Sequence, residues 1–152
     1  MALRTRRLAL AAAALAAAGL AAAGVAAAPR AGSVLVIENA ERGRTLRVPL
    51  RRGEVFSVVY HHSMYDQPVT EDFVVDERGR IVLEAVTSPS AAVREYFGLT
   101  SAGERHAVVR AMREVVFRVA AGTPQRLRAG GVERSFLELG EHGDRLVMRG
   151  ER

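Results

Sequence analysis

A chain of 152 residues is long enough for one domain with its own core and too short for two ordinary ones. It contains no cysteine, which excludes disulfides, thiolate metal sites and a lipid-modified N-terminal cysteine. The formal net charge is +5, but the first 28 residues carry three arginines and no acid, so the remainder stands at +2 and gives no basis for nucleic-acid binding.

Met1 to Ala28 reads as a secretory signal peptide or an N-terminal membrane anchor. Arg4, Arg6 and Arg7 form a positive start, and Leu8 to Val25 is an uninterrupted apolar run that ends in small residues. The expected location is therefore outside the cytoplasm, periplasmic or secreted, with membrane contact only through this segment. Without disulfides an exported domain must be held by its core alone.

A single β-rich domain is predicted over residues 33–150. Ser33 to Glu38 is rich in aliphatic and β-branched residues and predicts a first strand, with Asn39 to Gly43 as its turn. Arg44 to Leu50 alternates, with Leu46, Val48 and Leu50 on one side and Thr45, Arg47 and Pro49 on the other. Strands follow over Glu54 to His62, Val69 to Val75 and Ile81 to Leu83. Ser88 as N-cap and Pro89 at the first helical position predict one short helix near residues 89–97, stopped by Gly98. His106 to Met112 is ambiguous between strand and helical turn. Glu114 to Val119, Arg126 to Arg128 and Val132 to Leu139 are extended, and a last hairpin through Glu141 to Asp144 ends in Arg145 to Arg149. Short alternating segments separated by turns predict a mainly β fold, a small antiparallel sandwich or barrel-like domain.

Most of the chemistry lies between Tyr60 and Phe73. Side-chain parity continues the apolar face of Phe56, Val58 and Tyr60 onto His62, and that of Val69, Phe73 and Val75 onto Glu71. With Ser63 to Pro68 as the loop, His62 faces Val69 and Tyr60 faces Glu71. His62 and Glu71 then become diagonal neighbours on the inward face, a structural pair bracing the loop. An inward carboxylate is costly unless partnered, and an imidazole supplies a partner.

The same residues supply other chemistries. His61, His62, Glu71 and Asp72 are metal-ligand types, but alternation sends them to opposite faces in pairs, so no metal site or cofactor is expected. Ser63, His62 and Glu71 contain the elements of a hydrolytic triad without a nucleophile elbow. No catalytic residue is assigned on that basis, and a ligand- or metal-dependent, hydrolase-like enzyme using His62 and Glu71 stands as the alternative. The leading expectation is a recognition site made of His62, Ser63, Tyr65, Asp66 and Glu71, with Met64 to Gln67 as the exposed contact loop. His106 and His142 sit in turn-like surroundings and are expected to face solvent. Arg51, Arg52, Arg126 and Arg128 could form a basic patch.

His62-Ser63, Gln67-Pro68-Val69 and Glu71-Asp72-Phe73 together resemble the central motif of the bacterial family called domain of unknown function 1850. Leu46-Arg47-Val48-Pro49, Arg52-Gly53-Glu54 and Leu127-Arg128-Ala129-Gly130-Gly131 extend the resemblance over nearly the whole mature chain. It departs from the family at Ser88-Pro89-Ser90 and the helix to Phe97, where many members carry a glycine-rich segment. The resemblance implies a small exported β-rich protein, often encoded beside membrane subunits of tripartite ATP-independent periplasmic transporters, and on that company the expected role is a non-enzymatic accessory module that contacts a membrane transporter subunit or a solute-binding protein. It implies no established activity.

Overall fold

The computed structural model describes residues 32–152, so the predicted signal or anchor segment, Met1 to Ala28, lies outside the described residues. The chain is mainly β. Its strands are β1 (Ser33–Asn39), β2 (Arg44–Leu50), β3 (Phe56–His62), β4 (Gln67–Val75), β5 (Ile81–Thr87), β6 (Arg105–Met112), β7 (Val115–Arg118), β8 (Arg126–Ala129), β9 (Val132–Ser135) and β10 (Arg145–Glu151). One helix, α1 (Ala91–Tyr96), interrupts them between β5 and β6.

Two antiparallel sheets form, one of four strands in the order β2-β1-β10-β7 and one of six in the order β6-β5-β4-β3-β8-β9. Alternation in the sequence decides which side chains point between them. In β2, Val48 and Leu50 are buried while Arg47 and Pro49 are exposed. Leu35 and Ile37 of β1 and Leu146 and Met148 of β10 join them in the core, opposite Phe56, Val58, Val69, Phe73, Ile81 and Leu83 of the larger sheet. Phe56 and Phe73 are cross-strand partners whose rings stack at 5.5 Å. Close approach of the two layers is visible at Gly150 of β10, where a Cβ would lie 2.6 Å from Val75 Cγ1 and 2.7 Å from the Gly79 carbonyl oxygen.

Polar groups fasten the end of β1 as well. Asn39, fully buried at the end of β1, donates from Nδ2 to the Leu139 carbonyl at 3.1 Å and to Asp144 Oδ2 at 3.0 Å. Arg42 in the following turn pairs with Asp144 and Glu141, so the β1–β2 turn is fastened to the segment that enters β10.

Two sequence expectations change, and two questions the sequence left open are decided. The hairpin expected between 132–139 and 145–149 does not form: only Val132–Ser135 is strand, a 3-10 turn follows over Phe136–Glu138, and β10 crosses to the other sheet, where it pairs with β1 and β7. The Ser135 side chain accepts from Leu137 and Glu138 accepts from the Ser135 N–H, a capping arrangement that curls the chain out of the strand. The helix N-cap is Ser90, whose side chain accepts from the Val93 N–H, and not Ser88; Ser88 is buried and accepts from the Ser90 N–H. Residues 105–112, ambiguous in sequence, are a strand. Arg126 and Arg128 both pair with Glu133, and Arg52 pairs with Glu77, so these arginines do not pool their charge into a basic patch.

Candidate functional site

The β3–β4 hairpin loop has four residues, Ser63 to Asp66, where the sequence reading expected six. The Tyr65 and Asp66 N–H groups both donate to the His62 carbonyl, at 3.2 and 2.8 Å, and Asp66 closes the turn in the left-handed region at φ 46°. Aspartate tolerates that conformation better than most residues. Pro68 therefore lies inside β4, opposite His61. Its missing N–H costs little there, because β5 pairs with β4 only from Thr70 onward and leaves β4 a local edge at Pro68.

This loop length sets the neighbours. His62 is paired with Gln67, Tyr60 with Val69 and Glu71 with Val58. The expected His62–Glu71 pair is thus corrected: Glu71 lies two positions further from the tip and takes the Tyr60 hydroxyl as its hydrogen-bond partner. On its other side Glu71 faces Val86. Val58 and Val86 are both wholly buried, so the carboxyl is held in an apolar row. This desolvation raises the Glu71 pKa to about 7, with the Tyr60 hydrogen bond and the Arg110 guanidinium opposing the rise. Tyr60 is pushed upward by its own burial and by the neighbouring Glu71.

His62 is inward and buried, as parity requires, but its surroundings are aromatic. Its ring lies 5.1 Å from Tyr65, 4.6 Å edge-on from Tyr96 and 6.4 Å from Phe97. Tyr96 and Phe97 come from the end of α1 and meet each other edge-on at 5.5 Å. Gly98 follows in the left-handed conformation, φ 73°, ending the helix so that both rings turn onto the sheet. Val93, one turn earlier on the same face of α1, is buried in the core.

The outcome is a continuous surface built from two elements. Met64, Tyr65 and Tyr96 are 69, 37 and 61% exposed around the buried His62. Tyr60 also lies close enough to Tyr96 to feel it electrostatically, so all three tyrosines of the chain gather at this end of the larger sheet. Ser63 is exposed at the loop, and Asp66 reaches back to His61 Nδ1 at 3.3 Å. Asp72 faces away, accepting from Ser57 at 2.7 Å and pairing with Arg105 at 2.9 Å.

The polar residues that could make a catalytic or metal centre are consequently dispersed: Glu71 partners Tyr60, His62 is wrapped in rings, and His61 and Asp72 lie on the other face. Among the described residues, no three histidine, aspartate or glutamate side chains are gathered as a metal-ligand group.

Two features escaped sequence reasoning. Tyr96 joins the hairpin site although it is 34 positions from His62; a helix carrying adjacent aromatics next to its glycine stop was the available signal. His106 is only 4% exposed, contrary to the solvent-facing position expected for it. It is paired with Val86 of β5 and so falls on the inward face, in the same cross-strand row as Glu71. His142 is exposed, as expected. No protein family, curated protein or solved structure matches the chain.

Proposed function

We propose that this protein is an exported accessory or binding module that docks a protein partner on the surface formed by Met64, Tyr65 and Tyr96, with His62 as its buried support. The observation that carries the reading is the packing of two exposed tyrosines, one from the hairpin loop and one from a helix, against one buried imidazole, with exposed Met64 next to Tyr65 in the loop. Tyrosines supply large contact area at little conformational cost and are enriched at interface centres. Packing against His62 fixes both rings before a partner arrives, which reduces the ordering cost of binding.

The resemblance to the domain of unknown function 1850 family supplies the partner class, a component of a tripartite ATP-independent periplasmic transporter. The geometry favours a soluble component. Gly32, the first described residue, lies with Leu50, Arg51 and Glu54 around one cavity at the start of β3, whereas the aromatic surface lies beyond its end. A seven-residue strand spans about 20 Å. Gly32 thus stands at the end away from the aromatic surface, which supports a solute-binding protein as the partner that this surface meets.

A photoreactive amino acid at position 65 tests the proposal in cells that express the transporter. Crosslinking to the solute-binding protein is the expected result. Crosslinking at position 65 no stronger than at an outward control such as position 47 would overturn it.

A further inference from the structure

Loop residues 101–104 join α1 to β6 and close over His106. The Nε2 of His106 is 2.9 Å from the Gly103 carbonyl oxygen, and Nδ1 is 2.7 Å from Ser101 Oγ. A carbonyl can only accept, so Nε2 carries the ring proton. In the neutral imidazole Nδ1 is then an acceptor, and the Ser101 hydroxyl donates to it. The histidine is buried while the serine is exposed. A nucleophile in hydrogen-bond contact with a base, and a base whose tautomer is fixed by a third group, are the elements of an activated serine. Here a main-chain carbonyl occupies the orienting role usually given to a carboxylate.

We infer that Ser101 is a reactive nucleophile with His106 as its general base, able to accept an acyl group from small activated esters. The site stands apart from the partner-binding reading and does not depend on it. Ser101 Oγ forms the new bond to the ester carbonyl carbon while its proton passes to His106 Nδ1. The carbon–oxygen bond to the leaving group breaks, the leaving oxygen keeps the electron pair and takes the proton from Nδ1, and the acyl group stays on Ser101. Water repeats the sequence in the second half, with Nδ1 accepting its proton and returning one to Ser101 as the acid leaves. The surrounding loop is open to solvent, so the substrate class is limited to esters whose leaving group needs no binding pocket.

The test is acylation of the full chain by p-nitrophenyl acetate, and modification by a fluorophosphonate, with the modified residue identified by mass spectrometry. Ser101 should react at least tenfold faster than exposed Ser63 and than a serine in an unstructured peptide, with the rate rising as the imidazole loses its proton. Ser101→Ala, a change in an exposed loop, should abolish the labelling while leaving the circular dichroism unchanged. His106→Gln should slow it to the peptide's rate; should that variant unfold, the pH profile of the unsubstituted chain gives the same information. Labelling of Ser101 no faster than Ser63, or a rate that rises with hydroxide alone, would show that the contact only satisfies a buried histidine.

Discussion

The edge of the Tyr96 ring meets the His62 ring at a centroid distance of 4.6 Å, and this contact joins α1 to the β3–β4 hairpin. Because Tyr96 is 61% exposed, most of its surface remains available to a partner. Tyr96→Ala should cost about 0.5–1.5 kcal/mol of stability, the worth of an aromatic pair. An interface anchor is worth about 2 kcal/mol or more, so affinity for the partner should fall about thirtyfold or further. Thermal melts and titration of the purified partner separate the two effects. A variant that loses stability and keeps its affinity would leave Tyr96 a packing residue only.

Glu71 makes stability depend on pH. Its pKa is about 7 in the folded chain against 4.5 for an unperturbed glutamate, so the folded state holds a proton that the unfolded state releases between those values. The contribution is complete below pH 4.5 and is lost as pH rises through about 7. The size of this loss is at most about 3 kcal/mol. Glu71→Gln keeps a neutral acceptor for Tyr60 and removes the titration. Denaturant unfolding at about pH 5 and pH 8 should therefore show the unsubstituted chain weaker at the higher pH and the variant nearly unchanged. Equal pH dependence in the two proteins would mean that Glu71 ionises freely.

The Asn39 side chain bridges segments that are about 100 residues apart in sequence. Asn39→Ala leaves the Leu139 carbonyl without this donor in a buried site, at a cost of about 1–3 kcal/mol. Asp144, which accepts from Arg42 first and also from the Glu141 N–H and from Asn39, is held down at about 2. A carboxylate depressed in this way supports the fold above its ordinary range and ceases to do so as pH falls through about 2. Acid unfolding followed by tryptophan-free probes such as far-ultraviolet circular dichroism should shift to higher pH in Asp144→Asn.

Gly150→Ala probes the contact between the layers. The added methyl would overlap both Val75 and the backbone of Gly79, and the latter cannot rotate away. Overpacking of this kind costs about 1–3 kcal/mol. A melting temperature unchanged from the parent would show that the two sheets can separate slightly at this edge.

How far the sequence reached is clearest in the hairpin. Parity identified His62 and Glu71 as inward residues, and both are. It could not identify their partners, because a loop of four residues instead of six slides the strands by two positions. An even shift keeps every side chain on its face and changes every neighbour. Glu71 thereby exchanged His62 for Tyr60, and His62 was left to the rings of Tyr65, Tyr96 and Phe97. The burial of His106 was hidden for a related reason: it depends on where β6 lies in the sheet, while the residues beside it look like those of a turn.

Local alternation, glycine stops and turn residues determined the mainly β class, most strand spans and the helix after β5, because each is a property of a few consecutive residues. The tertiary structure alone decided that β10 leaves its predicted hairpin for the other sheet, that Asn39 meets Asp144, and that α1 lies over His62. Those choices are settled by which distant apolar faces can be buried together, and the period of a strand is the same whichever partner it finds.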